Sequence, residues 1–377
     1  MRSRLAPTSP AARPWQASTV ELGPRGPEPR LFQALLACQH AADLADRPGD
    51  PPTAVAELRS LLTPPYQGYR LLYLLHDPSG SLAGWARLGL FTAFQRELAH
   101  ATILVRPAAR RRGAGTALLT AVTLGAHRRG RSRLVLDGPR RLATERFAVR
   151  HGLVLTGREL RSRLDLDSPD LAAACAQWRA PGGAHRRPDF IALRWTGPCP
   201  DAYVPTYLDA LDALQPGAAT AGAVGAGAAG TGIGTGGSRA GGNGTGPDNA
   251  GTTGTKESPF TQAEVRHREY TAAAAGLREY TACLVTPQTG RIAALSTAHT
   301  ADGLRGEQNE TVVVPEFRGR GLALRVKAQL IRELLVAEPG LTMLDTHNAV
   351  DNTRMLAVNQ RLGFRPLDTH GAWTLRL

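Results

Sequence analysis

Two segments of this chain spell the same pattern, V-x-P-x-x-R-x-x-G-x-(G/A). The first holds Val105, Pro107, Arg110, Gly113 and Gly115; the second holds Val313, Pro315, Arg318, Gly321 and Ala323. Each follows a β-branched or apolar run ("ATILV", "ETVVV") that reads as a strand, and each leads into a stretch that reads as an amphipathic helix. A strand that turns abruptly into a helix exposes unpaired N–H groups and the positive end of the helix dipole. Glycine at that turn removes the Cβ that would hold an anion away, and arginine adds a fork that grips phosphate. A single copy could be an ordinary turn with arginines in water. Two copies in one structural slot, at identical spacing, point to phosphate binding.

The elements around the two loops repeat in the same order. "VELGPRGPEPRLFQALLACQHAA" from Val20 and "ALRWTGPCPDAYVPTYLDALDAL" from Ala192 each read as strand, Gly/Pro turn and helix. A further helix follows in each half, then two strands joined by turn residues, DPSG in one half and TPQTG in the other. After the glycine loop and its helix, each half is expected to close with a strand, a helix and a last strand pair. The fold class is therefore α+β, two domains in tandem, each a mixed and largely antiparallel sheet flanked by helices. The expected boundaries are a disordered arm over 1–15, one domain over 16–167, a linker over 168–187 and a second domain over 188–377. Residues 217–255 are so rich in Gly, Ala and Thr that they read as a flexible insertion. Their GxGxxG (Gly232, Gly234, Gly237) lacks a strand before it and a helix after it, and is an accident of composition.

Several function classes fit poorly. The chain carries +13, from 45 Lys+Arg against 32 Asp+Glu, and Lys256 and Lys327 are its only lysines. GC-rich coding alone can produce such arginine, and the basic runs lack interleaved aromatics or a helix-turn-helix spacing, so no specific nucleic acid partner is expected. The four cysteines are scattered, with no metal-ligand spacing and no disulfide framework; no metal is expected, and a cytoplasmic location is. No run reaches membrane-spanning length, so no membrane partner is expected. GxxxxGK[ST] is absent, and antiparallel strands before the loop argue against a dinucleotide fold.

Through these two loops the chain resembles the GNAT superfamily of N-acetyltransferases, specifically a tandem two-domain actinobacterial type with a layout similar to mycothiol synthase. "DTHNAVDNTRMLAVNQRLGFRP" from Asp345 resembles the family's next signature: a strand, an Asn, a short helix, then Leu-Gly-Phe. The resemblance implies that acetyl-CoA is the co-substrate and an amine, on a small molecule or a protein, its acceptor. It assigns the cofactor to Val313 and Val314 on the strand, Arg318, Gly319, Arg320, Gly321, Leu322 and Ala323 in the loop, and Asn352 beyond. In the first half it assigns Val105, Arg110, Arg111, Arg112, Gly113, Ala114 and Gly115. That half departs from the second signature, with Arg141 at the Asn position, and reads as a catalytically degenerate partner domain.

Acyl transfer to an amine needs an unprotonated nitrogen, so a general base is useful. Glu310, three residues before Val313, is the first candidate and Glu307 the second; Thr102, at the place of Glu310 in the first half, cannot serve. Backbone N–H groups of Val313 and Val314 are the expected oxyanion donors. The Tyr by which the family protonates the leaving thiolate is replaced by Asn359, or Ala148 in the first half. His347 reads as a structural histidine, Asp345 as a strand-end charge and Asp351 as a helix cap. Alternatives are a non-catalytic acyl-CoA sensor or a protein-lysine acetyltransferase. The oligomeric state is not readable from the sequence.

Overall fold

A computed structural model describes residues 15–92, 95–168, 171, 189–214 and 260–377. Residues 1–14, nearly all of the expected linker and the whole glycine-rich insertion lie outside the described residues.

The first half contributes β1 (Ala17–Leu22), α1 (Pro29–Asp46), α2 (Val55–Leu62), β2 (Gly68–His76), β3 (Leu82–Phe91), β4 (Leu98–Val105), α3 (Ala114–His127), β5 (Arg133–Pro139), α4 (Leu142–Arg150) and β6 (Val154–Asp165). The second repeats the order with β7 (Ile191–Thr196), α5 (Val204–Asp212), α6 (Gln262–Ala275), β8 (Arg278–Val285), β9 (Ile292–Thr300), β10 (Arg305–Val313), α7 (Leu322–Ala337), β11 (Met343–Ala349), α8 (Thr353–Arg361) and β12 (Arg365–Arg376). Local chemistry explains many of the boundaries. The Asp77 carboxylate accepts N–H bonds from Ser79 and Ser81 and shapes the β2–β3 turn. Thr261 Oγ1 caps α6 by accepting from Glu264 N, and Gly276 ends that helix in the left-handed region.

Period-two alternation sorts the strand residues onto two faces. On one face α3 packs on Leu71, Tyr73, Leu88 and Leu90, and α7 packs on Tyr280, Ala282, Leu284 and Leu344. On the other, α1 and α2 cover Leu72, Leu74 and Trp85, while α5 covers Cys283, Leu295 and Val312. Helices α2 and α6 meet over that second face through Ala56, Ala272 and Ala275.

The expected last strand pair of each half is not what forms. Each half supplies one long final strand, and the two are exchanged. The twelve strands make a single sheet in the order β1-β2-β3-β4-β5-β12-β6-β11-β10-β9-β8-β7. The chain's last strand, β12, pairs with β5 of the first half from His370↔Pro139 to Arg376↔Arg133. In return β6 leaves the first half to pair with β11 of the second, from Met343↔Asp165 to Ala349↔Glu159. Only β4–β5 and β10–β11 are parallel among these pairings.

Charged side chains lock the exchange. Arg163 of β6 forks onto Asp345 of β11 (2.6 and 2.8 Å) and reaches Asp50 of the α1–α2 connection (2.9 Å). Arg161 bonds Asp50 at 2.7 Å and lies 2.9 Å from Asp368 of β12. Asp345, read from sequence as a strand-end charge, is instead 1% exposed at the centre of this cluster. Removing one partner from such a buried network costs about 3–5 kcal/mol, because the others are left as unpaired charges.

Candidate active site

Each parallel pair holds together only at its base. β10 and β11 pair from Arg305↔Met343 to Gln308↔Thr346, and β4 and β5 from Leu98↔Arg133 to Ala101↔Leu136. Beyond those residues the partners diverge, so each half has a split that opens toward its glycine loop. Both loops begin with a 3-10 turn, Pro107–Ala109 or Pro315–Phe317. In both, the motif arginine bends back to the strand end: Arg110 Nε donates to Val105 O (3.0 Å) and Arg318 Nε to Val313 O (3.1 Å). Gly113 (φ 85°) and Gly321 (φ 71°) stand in the left-handed region at the N-caps of α3 and α7, and neither helix has a side-chain cap. The first-turn amides are thus presented as the sequence predicts.

The second loop is open. A Cβ built on Gly319 or Gly321 would meet nothing within 4 Å. Val314 N donates to Ala293 O at 3.0 Å. The N–H of Val314 is therefore spent on β9, which corrects its expected role as an oxyanion donor. Alternation turns the preceding N–H, that of Val313, away from β9 and into the split.

A β-bulge sits just before this point. Gln308 pairs with Ala298 and Thr311 with Ser296, so Asn309 and Glu310 together oppose Thr297. The extra residue turns the Glu310 carboxylate to Thr297 Oγ1 (2.7 Å) and Arg268 of α6 (3.1 Å). Burial works to raise the pKa of Glu310, but Arg268 and Thr297 outweigh it and hold the carboxyl below its ordinary range. Glu310 also lines a small cavity in the split, together with Leu214, Asn309, Thr311, Lys327, Asn348, Asn352 and Met355. Glu307 is not in that lining. It is 7% exposed and bonded to His347 Nδ1 at 2.7 Å. Burial opposes ionisation of both, yet the pair prevails: Glu307 falls to about 2 and His347 is raised. His347, read from sequence as a structural histidine, is buried with Glu307 as the partner of Nδ1, while its Nε2 is buried without a partner.

Asn352, not Asp351, caps α8: its Oδ1 accepts from Met355 N at 3.1 Å. Asn352 Nδ2 is buried without a hydrogen-bond partner beside the cavity, a donor left for a bound group. Asn359, at the place of the expected Tyr, is buried and donates to Asn348 Oδ1.

The first half keeps the loop and fills its surroundings. Trp15 donates from Nε1 to Arg112 O (2.6 Å), and its indole would lie 3.7 Å from a Cβ on Gly113. The Phe147 ring, from the sixth residue of α4, lies 3.3 Å from where a Cβ of Gly115 would stand; the sixth residue of α8 is Val358. Arg110 continues into a fork with Asp46 at 2.7 Å on both nitrogens, and Arg141 approaches Asp46 at 3.3 Å. Strand β4 has no bulge against β3. In place of a carboxylate held by Thr297, Arg87 donates to Thr102 Oγ1 at 3.0 Å. Burial raises Asp137 of β5 to about 6, against the pull of Arg87.

Sequence reasoning missed Arg268, Thr297 and the bulge, which depend on pairing register, and Trp15 and Phe147, which act through space. Lys327 it could have found: a lysine between Val326 and Ala328, three residues from Leu324 and Leu330, sits on the apolar stripe of its helix.

Residues 37–152, which contain the first glycine loop, match the Acetyltransferase (GNAT) family model. No curated protein matches the chain. Among solved structures it is similar along nearly its whole length to a tandem GNAT protein from the clavulanic acid biosynthesis pathway, solved without AcCoA. Identity is 22%, the TM-score is 0.73, and the likeness covers 96% of this chain and 98% of that one. A GCN5-related N-acetyltransferase from Sphaerobacter thermophilus follows with 16% identity, a TM-score of 0.58 and 95% of each chain covered. The GCN5-related glucosamine N-acetyltransferase region of a fungal multi-domain GH3 beta-N-acetylglucosaminidase shows 12% identity and a TM-score of 0.58, over 97% of this chain and 39% of that one. The class is therefore the tandem GNAT fold. More particularly, the match to the GNAT family model falls within the first half, and the second half repeats that fold with the more open loop. Among the described residues no His/Cys/Asp/Glu group could hold a metal, and no helix is long and apolar enough to cross a membrane.

Proposed function

We propose that this protein transfers an acetyl group from acetyl-CoA to an amine, and that the chemistry belongs to the second half. The observation that carries the reading is the unobstructed turn at Gly319–Gly321, next to a cavity between diverging strands. Bound acetyl-CoA would supply the thioester. The first-turn amides of α7 and the Arg318 and Arg320 side chains suit its diphosphate, and Asn352 Nδ2 is a donor in want of an acceptor. The Val313 amide is directed to where a thioester oxygen gains charge during attack.

Glu310 is the carboxylate on the cavity wall and receives the proton lost by the amine. Glu307, tied to His347, is set aside from that role. A base with a depressed pKa is ionised at neutral pH but weakly basic, so the rising limb of the pH–rate profile is expected to follow the ionisation of the amine and not of Glu310. The first half serves as a partner domain: Trp15, Phe147 and the Arg110–Asp46 fork occupy the approaches to its loop, and Arg87 would repel an ammonium. The absence of a Tyr at Asn359 keeps a non-catalytic acyl-CoA sensor as the second reading.

The test is release of free CoA from acetyl-CoA across a panel of polyamines, amino sugars, aminoglycosides and lysine peptides. Turnover with at least one amine, reduced about 100-fold or more in Glu310→Gln, is expected for loss of a general base. Acetyl-CoA binding without release for any amine would support the sensor instead.

A further inference from the structure

One ionisable residue of the cavity, Lys327, has no task in the transfer so far. Lys327, near the start of α7, is 1% exposed on a helix face otherwise made of Leu324, Val326, Leu330 and Ile331. Its Nζ lies 5.3 Å from the centroid of the Phe364 ring. No carboxylate compensates it: burial alone acts on its pKa and lowers it to about 7. Glu310, the other ionisable group on the cavity wall, is engaged by Arg268 and Thr297. Taking an ammonium out of water without a partner is costly, and a Leu or Met would pack the position better. The remaining cavity residues are Leu214, Asn309, Thr311, Asn348, Asn352 and Met355, none of which carries a proton acidic enough to give up.

We propose that Lys327 is the proton donor to the CoA thiolate released in the transfer, an inference that rests on the acyl-transfer reading. The amine lone pair forms the C–N bond to the thioester carbon, and the nitrogen's proton passes to Glu310. The C–S bond then breaks with its electron pair going to sulfur. The Lys327 ammonium gives its proton to that sulfur, and neutral Lys327 is recharged when the proton held at Glu310 returns through solvent. The released thiolate, whose thiol has a pKa of ~8.5, is a stronger base than neutral Lys327, so it takes the proton from the ammonium without an uphill step.

The experiment needs no acceptor amine. CoA is bound to the full-length protein, and its thiolate absorbance is followed from about pH 6 to pH 9 for wild type and Lys327→Met, with thermal melts of both. Coupling to the Lys327 ammonium should spread the wild-type thiol titration toward low pH, with thiolate already present at about pH 7, and leave a simple curve at the free value or higher in the variant. The variant should keep CoA affinity within about threefold and melt no lower than wild type, because Met suits the apolar site. Should Lys327→Met fail to fold, Lys327→Gln serves the same comparison. Identical thiol titrations in wild type and variant would overturn the proposal while leaving acyl transfer standing. Failure of wild type to bind CoA at all would overturn both.

Discussion

Arg111 and Gly319 occupy the same place in the two loops and adopt the same left-handed backbone, at φ 62° and φ 79°. Only glycine takes that conformation without cost. Arg111→Gly is therefore expected to stabilise the protein by about 1 kcal/mol, read as a higher urea midpoint; a lower midpoint would mean that the arginine side chain contributes more than its backbone costs. Acid stability belongs to this scale too. Glu307 (about 2) and Asp368 (about 2) lie below the ordinary carboxylate values, so their contributions are present above about pH 4.5 and are lost as pH falls toward 2. His347 has the opposite sign: its raised pKa contributes below about 6.5 and is lost as pH rises through the folded value. Glu307→Gln should flatten both slopes in urea melts taken between about pH 2 and 8; an unchanged profile would remove the pair from the account. Glu310 was legible as a carboxylate near the split, but its grip on Arg268 was not, because the two residues are brought together only by packing of α6 on the sheet.

The elements that sequence predicts best are those whose signal is local. Strand, glycine turn and helix are written in consecutive residues, and both loops form between strand and helix as read; the bond from each motif arginine to its own strand end is not legible there. The bulge in β10 is different. "QNET" shows no sign of an extra residue until it is paired with β9, whose register fixes Thr297 against both Asn309 and Glu310. Deleting Asn309 should restore continuous pairing, as in β4, and carry Glu310 away from Thr297 and Arg268. Release of CoA to an accepting amine is expected to fall about 100-fold while CoA affinity, which depends on the loop, changes little. Equal loss of both would mean that the bulge supports the fold, not the chemistry.

At the scale of the whole molecule, the exchange of β6 and β12 joins the halves into one sheet with buried ion pairs across the join. Hydrogen bonding alone does not distinguish β6 beside β5 from β6 beside β11, since either neighbour would satisfy it; Arg161 and Arg163, whose partners come from both halves, favour the observed pairing. Calorimetry should accordingly show a single unfolding transition, and two separable transitions would contradict the interlock. The central claim, that an acyl-CoA diphosphate rests on the second glycine turn and not the first, is tested most directly by titrating CoA into the full-length protein by calorimetry. One site per chain is expected, lost in Gly321→Glu and retained in Gly113→Glu, a matched change at an equally left-handed glycine. Two sites per chain, or binding that survives Gly321→Glu, would contradict it.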